Sequence, residues 1–301
     1  MSVKPLVGQV RNTSLAQENH GENMNRRRSI GGWAILVFAL LTLSGCFRPN
    51  PAAAPPTPTP VESPDEGRRE TDTGWQPVTR GVEWREMAFY PNPETRRRTL
   101  AYIVRIDPAA VTLRVHYAPG APRAITAWAE QTGAPFLING GFFTPEYVAL
   151  GLLVSDGMHH GQSYNDFGGM FQVTGGRAHV RALALEPYFP GEPLDQAVQA
   201  FPMLLNPGGA PAYPDDPDDR LSRRTFVGQD RAGRLVFVAV PAGGLTLYES
   251  SQWLAGADFD LDVALNLDGG GSTALYLKVG DFLKWVPSVD PLPVVIAAYL
   301  R

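Results

Sequence analysis

Beyond Trp75 the apolar residues fall in short runs punctuated by Gly, Pro, Asn and Asp, a pattern of strands rather than long helices. Thr99–Asp107 (TLAYIVRID) and Val111–Tyr117 (VTLRVHY) read as strands on either side of a Pro-containing turn. Pro135–Asn139, Leu152–Ser155, Gly169–Thr174, Arg177–Leu183, Ala200–Leu205, Val263–Leu267, Ala274–Val279, Phe282–Val286 and Val294–Leu300 add further strands, with Gly175-Gly176 as a hairpin turn. Arg224–Gln229 and Arg234–Val240 are predicted to pair across Asp230–Gly233. Ala124–Gln131 reads as a short helix stopped by Gly133 and Pro135. Thr246-Leu-Tyr-Glu249 is a capping box; it places Leu247, Ser250, Ser251 and Leu254 on one helical face, and Gly256 fits the end of that helix. With about three helices among many short strands, the expected class is α/β (α+β): a single domain of mixed β-sheets with a few short helices, not a doubly wound parallel sheet.

The first part of the chain carries a different pattern. Asn25-Arg26-Arg27-Arg28-Ser29 precedes a 14-residue apolar run, Ile30–Leu43, which ends in Leu43-Ser44-Gly45-Cys46. A basic segment, a short apolar segment and small residues before a cut site make a signal peptide over residues 1–45. Met24, directly before the basic run, is the expected true start. The apolar run is shorter than the roughly 20 residues that span a bilayer. Leu43–Cys46 resembles the lipobox of bacterial lipoproteins, which implies lipidation of Cys46 and a membrane partner through that anchor. Residues 46–74 then form a Pro/Ala/Thr-rich linker, extended and semi-rigid in character. The folded part, 75–301, is roughly 225 residues, enough for one large core.

Charge and composition narrow the function. The 26 Lys+Arg against 30 Asp+Glu give a net charge of −4, and removal of residues 1–45, with five basic and two acidic residues, leaves −7. Such a chain lacks the basic surface a duplex nucleic acid needs. A single Cys excludes an intrachain disulfide framework and a Cys-cluster zinc site. Among the histidines only His159 and His160 are close, and neighbours in a strand face opposite ways, so neither a metal nor another cofactor is expected.

Two segments break the local rules in the same manner. Asn139-Gly140-Gly141-Phe142-Phe143 and Asn266-Leu267-Asp268-Gly269-Gly270-Gly271-Ser272-Thr273 each follow an apolar strand with a polar side chain and then glycines. Glycines let a ligand approach the backbone, whose N–H groups can bind anions. Neither segment is a P-loop, since no Lys follows the glycines, and no Gly-x-Ser-x-Gly elbow marks a serine hydrolase.

These segments, with Gly151-Leu-Leu-Val-Ser-Asp-Gly157 and Arg224-Thr-Phe-Val-Gly228, occur in an order that resembles the phosphodiester glycosidase domain. Gly168-Gly-Met-Phe171 and Phe201-Pro-Met-Leu204 fit its bacterial branch. The resemblance covers roughly 80–301 and departs from the family at Val240-Pro241-Ala242-Gly243, where an Asp-Gly pair is common. It implies an exported hydrolase that cleaves the sugar C1–O–phosphate bond of a sugar-1-phosphodiester in envelope or extracellular glycan. Cleavage at an anomeric carbon calls for a carboxylate facing oxocarbenium-like charge and donors holding the departing phosphate. Asp268 is the candidate carboxylate, Arg224 the phosphate fork, and Asn139 a third catalytic candidate. Gly140, Gly141, Asp156, Gly269, Gly270, Gly271, Ser272 and Thr273 are the candidate substrate-binding residues, and Asp156 or Glu146 a candidate acid. A different-class alternative is a non-catalytic envelope glycan-binding module, which would bind without releasing product.

Overall fold

The computed structural model of the protein describes residues 71–164, 167–216 and 219–301. The segment read as a signal peptide, Cys46 and the linker through residue 70 lie outside the described residues; the end of the expected linker, Thr71–Asp72, is instead a short strand of the folded part. Among those described, every strand pairing is antiparallel, in three sheets. One has nine strands, running in order Thr71–Asp72, Val82–Phe89, Thr99–Ile106, Leu235–Leu245, Ser222–Asp230, Leu261–Asn266, Met203–Asn206 and Ala210–Pro211, with Gln76–Thr79 also paired to Val82–Phe89. A second runs Arg177–Ala182, Gly169–Thr174, Gln196–Ala200, Leu153–Ser155, Met158–His160. The third runs Phe282–Val286, Leu275–Val279, Phe136–Asn139, Val294–Leu300, Val111–Tyr117.

The expected single domain of β-sheets with a few short helices holds in its coarse form, but it is predominantly antiparallel β, with two α-helices among the described residues, Ile125–Thr132 and Leu247–Gly256. Its central strands are buried on two sides. In Leu235–Val240, the side chains of Leu235, Phe237 and Ala239 enter a central core shared by all three sheets. Val236, Val238 and Val240 instead enter a second core, beside Leu254 of the helix. Phe136 and Ile138 likewise face the central core, while Leu137 packs with Ile125 and Trp128 of the other helix. Strands buried on both faces read as continuous apolar runs, the usual mark of a parallel sheet.

Local signals were accurate where they were chemical. Gly133 ends its helix in the left-handed conformation, φ 66°, and its N–H donates to Ala129 O. Thr246 Oγ1 accepts from Glu249 N at 3.0 Å while Glu249 Oε2 accepts from Thr246 N at 3.0 Å, completing the box. The strand expected over Ala200–Leu205 divides instead. Gln196–Ala200 belongs to the second sheet and Met203–Asn206 to the nine-stranded one, the chain crossing at Phe201-Pro202, where Pro has no N–H for a ladder. Val82–Phe89 escaped the hydrophobic pattern because its polar positions are paired: Glu83 with Arg105, and Arg85 with Asp72 and Asp258. Among the described residues no helix is long and apolar enough to cross a membrane.

Candidate functional site

The two Gly-rich segments meet. Strands Phe136–Asn139 and Leu261–Asn266 lie in different sheets, and their C-terminal ends come together. Asn139 is 1% exposed and is spent on the second loop. Its Nδ2 donates to Asp268 O at 2.7 Å, and its Oδ1 accepts from Thr225 Oγ1 at 2.8 Å and Ala274 N at 3.0 Å. Asp268 N in turn donates to Gly140 O at 3.1 Å. Asn139 thus holds the Asp268 loop, and its polar atoms are engaged within the protein rather than open to a substrate as expected of a third catalytic residue.

Asp268 is the perturbed carboxylate. Burial pushes its pKa up to about 6, opposed by hydrogen bonds from Ser272 and from Gly269 N, and the nearby charge of Asp290 adds to the rise. Gly269 N donates to Asp268 Oδ1 at 2.9 Å, and Gly140 N donates to Val294 O, so these amides are not the open anion nest the sequence implied. The glycines are required by close packing. A Cβ at Gly140 would lie 2.8 Å from Val294 Cγ2, at Gly141 2.8 Å from Gln199 O, and at Gly269 2.7 Å from Arg223 O; at Gly271 it would collide with the Asp290 carboxylate. Gly270–Ser272 form a 3₁₀ turn; Ser272 and Thr273 are buried beneath it.

Beside this loop is a cleft of about 380 Å³, lined by Phe142, Phe167, Phe201, Pro202, Tyr213, Arg224, Leu247, Asn266 and Gly269. Arg224 is a lining residue, as the sequence implied, but it is not a free fork. Nε donates to Leu245 O at 2.9 Å, and Nη2 to Arg220 O at 2.6 Å and Asp219 Oδ1 at 3.3 Å. Asp219 also accepts from Tyr248 N at the start of the helix, which anchors the arginine. Burial disfavours the charged guanidinium, and Asp219 offsets this.

Sequence reasoning did not single out Asn266, which lines the cleft. It is 3% exposed; Nδ2 donates to Phe201 O at 2.8 Å, and Oδ1 has no partner. Among the described residues, four of the seven buried side-chain polar atoms without a partner are Arg223 Nε, Asn266 Oδ1, Thr273 Oγ1 and Ser288 Oγ. Val289 N and Asp290 N donate to Gly271 O, and Arg223 Nη2 donates to Thr273 O and Pro287 O, so Arg223, Thr273 and Ser288 belong to one neighbourhood beside the loop. Asn266 opens the motif, so its polar side chain at the end of an apolar strand was the available signal. Tyr213, at the end of no motif, left none.

The other candidates lie elsewhere. Asp156 has φ 49° and Gly157 φ 76°; together they make the two-residue turn between Leu153–Ser155 and Met158–His160. Asp-Gly is a strong hairpin signal, and that is its function here. The Asp156 carboxylate is held by Arg114 at 2.9 Å and Gln196 at 2.7 Å; burial opposes ionisation, but these contacts keep its pKa below the ordinary value. It does not line the cleft. Glu146 is exposed in the loop after Phe143 and does not line the cleft either. Among the described residues no group of three or more His, Cys, Asp or Glu comes together as a metal site.

Residues 132–299 match the phosphodiester glycosidase family. The chain belongs to that family. None of the curated protein sequences matches it. Among solved structures, the phosphodiester glycosidase fold is shared with the zebrafish N-acetylglucosamine-1-phosphodiester α-N-acetylglucosaminidase catalytic domain, auto-inhibited by its pro-peptide. The TM-score is 0.57 at 18% identity, over 77% of this chain and 88% of that one. A protein from Synechocystis, described as hypothetical, aligns with a TM-score of 0.54 at 17% identity, over 74% of this chain and 63% of that one. This phosphodiester glycosidase domain therefore has the glycosidase-type hydrolase fold, with Arg224, Asn266 and Gly269 lining one cleft; Asp268 is the residue next to Gly269 and is not itself in the lining.

Proposed function

We propose that the protein hydrolyses a sugar-1-phosphodiester of envelope or extracellular glycan. The observation that carries this reading is a carboxylate of raised pKa, Asp268, on a loop that borders a cleft containing one buried guanidinium. In the reaction the C1–O bond breaks with its electron pair on the phosphate oxygen, and water adds hydroxyl to C1, giving free sugar and a phosphomonoester. Asp268, ionised, faces the positive charge that develops at C1. The edge of Arg224 left over from its internal contacts meets the phosphate. A phosphate leaves without a proton, so Asp156 and Glu146 need not act as acids. The test is hydrolysis of N-acetylglucosamine-1-phosphodiesters by the full chain: release of free sugar supports the reading, and binding without product favours a glycan-binding module.

Arg224→Ala is expected to lower kcat/KM about tenfold to a hundredfold, the value of one charge-assisted contact. Arg224→Lys should recover little, because an ammonium cannot bridge Leu245 O, Arg220 O and the substrate together. Steady-state kinetics beside a melting curve separates this from loss of the Asp219 anchor, and wild-type kinetics in the alanine variant would remove Arg224 from the site.

The reading places the protein outside the cytoplasm, exported and tethered by lipid at Cys46, as Leu43–Cys46 and the Pro-rich linker imply. Metabolic palmitate labelling should mark the wild type and vanish in Cys46→Ser. A labelled mutant, or an unlabelled wild type, would overturn the lipoprotein assignment.

A further inference from the structure

A second concavity, of about 350 Å³, shares no lining residue with the cleft. Gly161, Gln162 and Ser163 line one part of it and Tyr188 and Pro190 another, with His159 and the buried Leu152. Its walls are fixed by polar contacts spent inside the protein. Gln199, 1% exposed, accepts at Oε1 from Leu152 N and Tyr164 N, each at 3.0 Å, and donates from Nε2 to Tyr164 O at 3.0 Å. Gly161 is pressed onto Gly151: its φ is 68°, and a Cβ there would collide with Gly151 O. The segment around Tyr188 is pinned by the ion pair of the buried Arg181 with Glu192, whose N donates to Phe189 O at 3.1 Å. Tyr188 itself packs on the cluster that holds Leu152, Val154, Met170 and Leu183.

The lining side chains are left in the opposite condition. Among the described residues the side chains of His159, Gln162 and Tyr188 make no hydrogen bond, and the Ser163 hydroxyl uses only its donor, on Tyr164 O at 3.3 Å. Rigid walls that carry open polar groups are preorganised for a ligand. The chemistry of those groups selects its class. An amide, a hydroxyl and an imidazole in its neutral form each donate and accept, as a sugar hydroxyl does. No Lys, Arg, Asp or Glu is among the described lining, so neither a phosphate nor an ammonium finds a counter-charge. Leu152, Pro190 and the Tyr188 ring offer apolar surface to the C–H face of a pyranose. We propose that this pocket is a carbohydrate-binding site separate from the cleft, which holds a neutral sugar residue of a glycan through His159, Gln162, Ser163 and Tyr188. It lies beside the cleft: Ser163 lines the pocket, and the ring of Tyr164, the next residue, meets Phe201 and Phe167 of the cleft with centroids 5.6 and 6.1 Å away.

The experiment is saturation-transfer NMR, followed by titration, of the full chain with neutral trisaccharides of glucose, mannose, galactose and N-acetylglucosamine. At least one should bind in the millimolar range or tighter. Gln162→Ala and Tyr188→Phe should each weaken that binding about threefold to tenfold, the value of one neutral hydrogen bond. The double variant His159→Ala/Gln162→Ala, at two exposed positions, should weaken it at least about tenfold with an unchanged melting curve. Arg224→Ala, in the cleft, should leave trisaccharide affinity unaltered. Should the double variant melt lower, Gln162→Glu decides in the same terms, since it keeps the size of the side chain and removes its donors. Absence of binding by every trisaccharide at about 10 mM would overturn the proposal. So would affinity that these variants leave unchanged, or affinity that only Arg224→Ala removes. No readout uses turnover, so the proposal stands or falls apart from hydrolysis in the cleft.

Discussion

Replacing Asp268 by Asn is expected to lower kcat/KM on sugar-1-phosphodiesters by at least about a hundredfold while the fold survives. Asn keeps the size of the side chain and can still accept from Gly269 N, which now donates to Oδ1 at 2.9 Å. What disappears is the negative charge. Because burial, reinforced by Asp290, pushes the carboxyl to about 6, the ionised form appears only as pH rises through that value. Wild-type kcat/KM should therefore climb across roughly pH 5–7, and the residual activity of the Asn variant should lack that limb.

The same shift has a sign for stability. The native carboxyl titrates near 6 and the unfolded one near 3.8, so between these values the native state holds the extra proton. Stability present below 3.8 is lost as pH rises through about 6. At pH 7 Asp268→Asn should be the more stable protein, by on the order of 1 kcal/mol once partial exposure is discounted. The advantage should shrink toward pH 4. Undiminished turnover in the Asn variant would remove the carboxylate from the chemistry; a wild type more stable than the variant at pH 7 would contradict the desolvated environment.

Asn139→Ala should show the opposite balance, a large loss of stability with loss of activity as its consequence. The substitution strands Asp268 O, Ala274 N and the Thr225 hydroxyl, all held by one buried amide. Leaving buried polar groups unpaired costs about 1–3 kcal/mol each, so a loss of at least about 3 kcal/mol is expected. At roughly 2–4 °C per kcal/mol in a domain of this size, the melting temperature should fall by at least about 6 °C. In the folded fraction Asp268 should be misplaced, so the double variant with Asp268→Asn should lose much less activity than the product of the single losses. Multiplicative losses, or a melting temperature unmoved by Asn139→Ala, would show that Asn139 does not hold the Asp268 loop.

Much of this protein is readable from local order in the chain. The helix stop at Gly133, the capping box at Thr246 and the hairpin at Gly175-Gly176 appear where the sequence places them. Each depends on a few neighbouring residues, whose torsional preferences and short-range hydrogen bonds act whatever the rest of the chain does. The motif Asn266–Thr273 likewise pointed to the family. Burial and partnership were not legible in the same way. Whether a run such as Leu235–Val240 is covered on one side or two depends on a helix that follows it and sheets far from it in sequence. Whether Arg224 is a free fork or an anchored edge depends on Asp219 and two carbonyls brought to it by folding. That Asp156 turns a hairpin and lies outside the lining of the cleft was visible only in the folded chain. The cleft itself exists only because Phe142, Phe167, Phe201 and Tyr213 arrive from separate segments. Local sequence determined the elements and the chemistry available; long-range packing decided which polar atoms were used up inside the protein and which were left for a ligand, since that depends on every partner at once.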